Sequence, residues 1–137
     1  MTDFNYPLTV LGVLVVLLIY AYSTRMVGRM RGKHGVKVPE TTGPGEFVRA
    51  YRAQMNMLEF LPIFLPLAAV FAYAFGDLAG FGYTILFAIG RYLYFRGYIR
   101  APEARMTGFA IATLSTLSVL IACLAAVLWQ LAAPLFG

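Results

Sequence analysis

Long apolar stretches alternate with two clusters of positive charge along this chain of 137 residues. All eleven Lys and Arg residues lie within Arg25–Arg52 and Arg91–Arg105. A helix needs about 20 largely apolar residues to cross the hydrocarbon core of a bilayer. The apolar stretches therefore predict four membrane-spanning helices, over approximately residues 4–24, 46–75, 78–99 and 104–134.

Residues that favour turns separate these stretches. Gly32, Gly35 and Pro39 interrupt the helical pattern after the first span, and Gly76 marks a very short turn after the second. Pro102 disfavours helix in the residue before it, which ends the third span. The sequence predicts an all-α, integral-membrane four-helix bundle with up-down-up-down connections, in which the whole chain forms a single domain.

Composition supports lipid as the solvent for much of this surface. Hydrophobic residues make up 61% of the chain and charged residues 12%, whereas soluble domains usually contain about 25% charged residues. The net charge of +5 raises the question of a nucleic-acid partner. Because the positive charges follow the spans in two clusters, the positive-inside rule explains them more simply, and we predict no nucleic-acid partner.

The same rule predicts the orientation of the chain. The basic loops, at residues 25–45 and 96–105, are expected on the cytoplasmic side, with both termini on the opposite side, in a bacterial inner membrane or an equivalent membrane. The first 24 residues contain no Lys or Arg, so they lack the basic start of a secretory signal peptide. We expect this segment to remain attached as a span.

Neither the single cysteine nor the single histidine indicates metal or redox chemistry. Cys123 lies inside the last apolar run, where it is expected to be a small buried side chain without a disulfide partner. His34 lies in a Gly/Lys-rich segment without a second His or Cys nearby, so it is expected to be solvated. The sequence therefore predicts no metal site.

The second predicted helix carries polar residues on one face. Arg49, Arg52, Asn56 and Glu59 follow one another at spacings of three, four and three residues. Gln54 lies at the edge of this stripe. An isolated carboxylate within an apolar helix is costly, so Glu59 should face a polar interior and meet a cation or a hydrogen-bond donor.

A similar face occurs on the third predicted helix, where Arg91, Tyr94 and Tyr98 are three and four residues apart. Arg105 follows the Pro102 break, near the start of the fourth helix. Guanidinium groups bind carboxylates, and a carboxylate binds an ammonium group. The combined residues would suit a ligand that carries both carboxylates and an ammonium group.

Spacing alone leaves other interpretations open. Arg49, Arg91 and Glu59 could pair only to join helices, and tyrosines near helix ends commonly form an interfacial belt. A transporter or channel would need polar groups through the whole span, whereas here they cluster at one end. Five other basic residues are expected to set orientation or face the leaflet; these are Arg25, Arg29, Lys33, Lys37 and Arg96.

Two segments resemble signatures of one membrane-protein family. Thr41–Pro62 resembles the second-helix signature of the MAPEG superfamily, the membrane-associated proteins of eicosanoid and glutathione metabolism. Arg91–Tyr98, with Arg105 following, resembles its third-to-fourth helix signature. The branch that the chain resembles most is that of leukotriene C synthase and the microsomal glutathione transferases.

This resemblance implies a homotrimer that binds glutathione at each subunit interface and takes a lipophilic second substrate from the bilayer. It implies a thiol-activating role for Arg105 and a loop arginine, Arg31, that clamps a glutathione carboxylate. An adjacent guanidinium would stabilise the thiolate of a group whose pKa is otherwise about 8.5. The remaining glutathione-binding residues that it implies are Arg52, Gln54, Asn56, Glu59, Tyr94 and Tyr98.

Two positions depart from the pattern of leukotriene C synthase. Phe60 stands where that enzyme has a tyrosine, and Gly32 stands where it has a second consecutive arginine. General glutathione conjugation, or reduction of lipid hydroperoxides, is therefore a better expectation than leukotriene synthesis, in a role in detoxification or lipid metabolism. The alternative is a non-catalytic membrane scaffold or lipid-binding protein, since one MAPEG branch lacks glutathione chemistry. That branch lacks the arginines matching Arg52 and Arg105, and both are present here.

Overall fold

The computed structural model describes residues 3–136, and four long helices account for most of them. A 3-10 turn at Glu103–Arg105 precedes the last helix, and residues 3–136 contain no β-strand. The predicted all-α four-helix fold is therefore confirmed. The helices are α1 (Pro7–His34), α2 (Gly45–Phe75), α3 (Asp77–Arg100) and α4 (Met106–Phe136).

Contacts between helix ends show the directions of the helices. The first residue of α3, Asp77, accepts hydrogen bonds from the backbone N–H groups of Leu8 and Thr9 at the start of α1, at 2.9 and 2.7 Å. At the other end, Arg49 near the start of α2 donates through Nε to the carbonyl of Ile99 near the end of α3, at 3.0 Å. Helices α1 and α3 thus run in one direction and α2 and α4 in the other. This is the up-down-up-down arrangement.

The boundaries of the first span differ from the prediction. Helix α1 begins at Pro7, where proline suits the first helical position, and it ends at His34 rather than at residue 24. Gly32 is accommodated inside the helix, and Gly35 ends it with a positive φ of 65°. Basic side chains near a helix C-terminus complement the helix dipole, so the charges after residue 24 do not oppose helix formation. The predicted basic loop at 25–45 is therefore wrong for residues 25–34.

Helix α3 likewise extends past its predicted end, to Arg100. Of the predicted basic loop at 96–105, residues 96–100 are helical, and residues 103–105 form the 3-10 turn. The end of the bundle that contains the C-terminal ends of α1 and α3 and the starts of α2 and α4 is called the basic end below. Every Lys and Arg of the chain lies in the segments that form this half of the bundle.

Close approach of backbones joins α3 to α4. A Cβ added to Gly90 would lie 2.6 Å from the backbone nitrogen of Ala112, and one added to Gly108 would lie 2.5 Å from the carbonyl oxygen of Gly90. Small residues of this kind let membrane helices pack tightly. On the α2 side, Phe64 stacks on Phe87 with ring centroids 4.2 Å apart. Helix α3 is therefore the central element, in contact with the three other helices.

All four helices are long and apolar enough to cross a membrane. They contain 28, 31, 24 and 31 residues, which at 1.5 Å per residue gives lengths of roughly 36 to 47 Å. Large apolar side chains face outward along α4, as in Ile121 and Trp129. These are the properties of an integral membrane protein with four spans. The prediction that both termini lie on the side opposite the basic loops falls in part on Met1, Thr2 and Gly137. These residues lie outside the described part of the chain.

Candidate functional site

One small cavity near the basic end brings together six of the eight residues that the resemblance implies. Its volume is about 140 Å³, and residues from α2, α3 and the turn before α4 line it. In the single chain, Arg52 and Glu59 are exposed and Arg105 is half-buried. The cavity is lined by Arg52, Met55, Asn56, Glu59, Tyr94, Tyr98 and Arg105.

The helical periods of α2 and α3 explain this grouping. Arg52, Asn56 and Glu59 lie four and three residues apart, so one face of α2 presents them together. Tyr94 and Tyr98 lie four apart on α3, with ring centroids separated by 5.7 Å in an edge-to-face arrangement. The face of α3 that carries the tyrosines therefore meets the polar face of α2 across the cavity.

Close packing of the α3–α4 connection brings the guanidinium of Arg105 to the same cavity. A Cβ at Gly97 would lie 2.7 Å from the carbonyl carbon of Ala104, so only glycine allows the 3-10 turn to pack this closely on α3. The guanidinium carbon of Arg105 lies 4.5 Å from the ring centroid of Tyr98. The attraction between a cation and a ring face holds the guanidinium in position over Tyr98.

A chain of hydrogen bonds connects the polar groups on α2 with α3. Arg91 donates through Nη2 to the side-chain oxygen of Asn56 at 3.0 Å. The amide nitrogen of Asn56 lies 3.4 Å from a carboxylate oxygen of Glu59, at the long end of hydrogen-bond distance. The carboxamide of Asn56 is thus oriented with its nitrogen toward Glu59 and its oxygen toward Arg91.

The charged groups in the cavity are close to one another and yet form no ion pairs. Within residues 3–136 the structure contains one ion pair between a basic and an acidic side chain, Lys33 with Glu46, and Glu46 also lies within hydrogen-bond distance of the His34 ring. Glu59 therefore forms no ion pair with Arg49 or Arg91. The structure does not show the pairing between helices that spacing alone had left open. Arg49 instead joins α2 to α3 through its bond to the Ile99 carbonyl.

The remaining predicted site residues, Arg31 and Gln54, lie outside this cavity in the single chain. Arg31 donates through Nη1 to the carbonyl of Glu40 at 2.7 Å, and its guanidinium lies 4.9 Å from the ring centroid of Phe47. Gln54 donates to the hydroxyl of Tyr20 at 3.1 Å, on a different face of α2 from Asn56. Neither side chain reaches the other six residues within one subunit.

The sequence pattern grouped Arg91 with Tyr94 and Tyr98 on one face of α3, whereas the family resemblance gave Arg91 no part in binding glutathione. It is 1% exposed, and its guanidinium lies 4.5 Å from the ring centroid of Tyr94 and 5.1 Å from that of Phe60. Its Nε and Nη1 atoms are buried without a hydrogen-bond partner among the described residues. The three-residue spacing from Arg91 to Tyr94 indicated that Arg91 lies on the same face of α3 as the tyrosines. Nothing in the sequence pattern indicated Met55, which also lines the cavity.

His34 and Cys123 lie away from the cavity. His34 is not simply solvated as expected, because its Nε2 lies 2.9 Å from a carboxylate oxygen of Glu46, which also binds Lys33 at 2.7 Å. Cys123 is buried and free. Across residues 3–136, no three His, Cys, Asp or Glu side chains are grouped to hold a metal ion. The donors that do converge are guanidinium, carboxylate, carboxamide and phenol groups, which suit a zwitterionic organic ligand.

Comparison with known proteins gives a consistent result. An uncharacterized protein of Synechocystis sp. is 40% identical over 114 residues, which are 83% of each chain. Microsomal glutathione S-transferase 2 of Mus musculus is 40% identical over 91 residues, which are 66% of this chain and 62% of that protein. Leukotriene C4 synthase of Cavia porcellus is 40% identical over 98 residues, which are 72% of this chain and 63% of that protein.

The alignments with these two mammalian proteins cover less than two thirds of their length. The sequence profile of the MAPEG family matches residues 7–125, which include α1, α2, α3, the first two thirds of α4 and every residue that lines the cavity. The resemblance found in the two sequence signatures is thereby confirmed, and this chain belongs to the MAPEG family.

Proposed function

We propose that this protein is an integral-membrane glutathione transferase, whose active site includes the cavity between α2, α3 and the start of α4. One observation carries the proposal: two cations, Arg52 and Arg105, and one anion, Glu59, line a single small cavity without forming ion pairs. Free charges of both signs that line one cavity can bind the opposite charges of a zwitterionic ligand. Relatives of the chain carry the names of glutathione-using enzymes.

Glutathione has the groups that these side chains would bind. It carries two carboxylates and one ammonium group, so Arg52 would bind a carboxylate and Glu59 the ammonium group. The carboxamide of Asn56 and the hydroxyls of Tyr94 and Tyr98 would form further hydrogen bonds with peptide groups of the ligand. Each residue type in the cavity thus has a matching group on the tripeptide.

The size of the cavity supports a site that is completed by a neighbouring subunit. Ligand pockets usually occupy roughly 300–1,000 Å³, whereas this cavity has about 140 Å³ in the single chain. A second chain packed beside the cavity would enclose it. It could also bring its own Arg31 and Gln54 to the ligand, since these two side chains do not reach the cavity of their own chain. A homotrimer with three equivalent interfaces would satisfy this requirement.

Arg105 would act on the sulfur atom. A free thiol with a pKa of about 8.5 is only about 3% ionised at pH 7, and an adjacent positive charge lowers such a pKa by about 1 to 3 units. The guanidinium of Arg105 would therefore hold bound glutathione as the thiolate, which is the nucleophile. Tyr98, over which this guanidinium lies, would keep it in place.

The second substrate would be a lipophilic electrophile dissolved in the bilayer. In conjugation, the thiolate sulfur forms a bond to an electrophilic carbon. The displaced electron pair goes to the leaving group, or to an oxygen that then takes up a proton. With a hydroperoxide, the sulfur attacks the terminal oxygen, an alcohol departs after protonation, and a second glutathione reduces the resulting sulfenic acid to give a disulfide and water. Both reactions start from the same thiolate. We propose that the basic end of the bundle, and hence the glutathione site, faces the cytosol.

A thermal-shift titration in detergent tests the binding step. Glutathione should stabilise the wild-type protein saturably, because a ligand at 100 times its Kd contributes about 2.7 kcal/mol to the folded state. Arg52→Ala should abolish most of this stabilisation. Arg25→Ala removes the same charge from an exposed position on α1, outside the cavity, and should respond as the wild type does.

Absence of saturable stabilisation in the wild type would contradict the proposal. It would favour the alternative of a non-catalytic scaffold or lipid-binding protein of the same family. An equal loss in Arg52→Ala and Arg25→Ala would show that glutathione acts only through general surface charge.

A further inference from the structure

A larger groove at the basic end lies apart from the glutathione cavity. Its volume is about 750 Å³, and α1, α2, α3 and the start of α4 all contribute to its walls. From α3 it is lined by Leu93, Arg96 and Arg100, which are three and four residues apart. Tyr94 and Tyr98 point from a different face of the same helix. The two sites therefore have walls from α2, α3 and the start of α4 in common but share no lining residue.

Three guanidinium groups dominate the charge of this groove, from Arg49, Arg96 and Arg100. They are called the groove arginines below. The acid in its lining, Glu46, is already bound by Lys33 and His34, at 2.7 and 2.9 Å. No ion pair within residues 3–136 involves a groove arginine. The groove thus has a positive charge that the described part of the protein does not compensate.

The groove arginines also keep hydrogen-bond donors free for a ligand. Arg49 uses Nε for the carbonyl of Ile99, and Arg96 uses Nη1 for the hydroxyl of Tyr22 at 3.3 Å. These bonds orient the guanidinium groups, and the other N–H groups of Arg49 and Arg96 make no hydrogen bond within residues 3–136. Several guanidinium N–H donors directed to one space match the oxygens of a phosphate group.

The other walls of the groove are apolar. Met26 and Met30 contribute from α1, and Leu93 from α3. Leu93 lies one helical turn from Arg96 in the direction of the bilayer centre, and it is 40% exposed. A free phosphate ion or a nucleotide would leave this surface uncovered. An amphiphile with an anionic head and acyl chains would cover both parts of the groove.

We propose that this groove binds an anionic phospholipid, with its phosphate on the groove arginines and its acyl chains along Leu93 and the methionines. Basic pockets between membrane helices at the cytoplasmic side have the chemistry for such head groups. The exposed hydroxyl of Thr107, at the start of α4, lies in the same groove, where a glycerol oxygen could bind it. This proposal does not depend on glutathione chemistry.

The test compares two double variants of equal charge. Arg96→Gln/Arg100→Gln removes two groove arginines, and Arg25→Gln/Arg29→Gln removes two exposed arginines of α1 that lie outside the groove. Each protein in detergent is titrated with phosphatidylglycerol and with phosphatidylcholine of the same acyl chains. Thermal shift reports the stabilisation, and native mass spectrometry reports the bound lipid.

Phosphatidylglycerol should stabilise the wild type and the α1 double variant saturably, and phosphatidylcholine should not. The groove double variant should bind phosphatidylglycerol roughly thirty-fold more weakly, since each basic residue near a membrane surface contributes about a five-fold factor. Glutathione stabilisation should be unchanged in the groove variant, so failure of this proposal is distinguishable from failure of the proposed enzyme function.

Two outcomes would overturn the proposal. Equal weakening in both double variants would show a general charge effect, and equal stabilisation by glycerol phosphate alone would show a site for soluble anions. If the groove double variant does not fold, Thr107→Phe provides the test, because it fills an exposed position in the groove and keeps every charge. Undiminished phosphatidylglycerol binding by Thr107→Phe would also contradict the proposal.

Discussion

Arg91 is a charged residue that is buried almost completely within the bundle. Beyond its contacts with the rings of Phe60 and Tyr94, the guanidinium makes one hydrogen bond, to Asn56, and two of its nitrogens have no partner within residues 3–136, so its hydrogen bonds do not offset the full cost of burying the charge. Residues that violate the rules of stable packing are expected at functional sites. We therefore expect that Arg91 orients Asn56 for ligand binding and does not strengthen the fold.

Arg91→Met should separate these two effects. Replacing a buried charge by an apolar side chain of similar length is often neutral or stabilising, so the melting temperature should stay unchanged or rise. The Kd for glutathione should increase about ten-fold, because Asn56 loses a hydrogen bond from a charged donor and can turn away from the ligand. Thermal unfolding and the glutathione titration measure the two quantities on one sample. A large loss of stability would show that Arg91 is structural.

Arg105 leads to a prediction about pH. If its guanidinium lowers the pKa of the bound thiol, the wild type should already be near its maximal conjugation rate at neutral pH. In Arg105→Ala the thiol pKa returns toward about 8.5, so the rate should rise as pH increases up to that value. The ratio of wild-type to variant rates should thus be about ten or more at pH 7 and should shrink toward pH 9.

The measurement is the initial rate of conjugation to a soluble nitroaromatic electrophile, together with the ultraviolet absorbance of the thiolate. Arg25→Ala serves as the control and should follow the wild-type profile. A constant ratio across the pH range would mean that Arg105 acts on something other than thiol ionisation.

At the scale of the elements, the predicted and observed bounds of the helices show which parts of the fold can be predicted from sequence. Apolar length and the turn residues between the apolar stretches were enough to locate α2, α3 and α4 within a few residues. The end of α1 was missed because glycine and basic residues weaken a helical pattern locally, whereas tertiary packing of Val27 against the start of α2 sustains the helix. Sequence spacing also grouped Asn56 with Glu59, yet it could not show that Glu59 lacks an ion pair, since pairing depends on side-chain positions across helices.

The α3–α4 interface supports a prediction at this scale. Gly108→Ala would place a methyl group against the backbone of Tyr94 and Gly90, and neither backbone can move without separating the helices. Overpacking of this kind costs about 1–3 kcal/mol of stability. Because α4 begins directly after Arg105, glutathione-dependent turnover should fall as well.

Gly82→Ala is the matched control on α3, because a Cβ there meets no atom within 4 Å. Its stability should be unchanged or slightly higher, since alanine is favoured over glycine in a helix by up to about 1 kcal/mol. Thermal unfolding of both variants in the same detergent provides the comparison. Similar melting temperatures for the two would show that α3 and α4 do not pack as described.

At the scale of the whole molecule, the separation of Arg31 and Gln54 from the cavity leads to a test of shared sites. We expect each glutathione site to combine the cavity of one subunit with these two residues of its neighbour. Two inactive chains, Arg105→Ala and Arg31→Ala/Gln54→Ala, carry their defects on opposite sides of such an interface. In a ring of three that contains both chains, about one third of the interfaces would combine two intact sides, whichever chain is present twice.

Co-expression of the two chains with different affinity tags, followed by purification over both, yields the mixed oligomer. Its conjugation activity should recover to a fraction of the wild-type rate in line with that proportion, while each variant alone remains inactive. Physically mixing the separately purified proteins, without exchange of subunits, should restore nothing and is the control. If co-expression also restores nothing, every residue of the site belongs to one chain. Arg31 and Gln54 would then have only the structural contacts that they make with Glu40 and Tyr20.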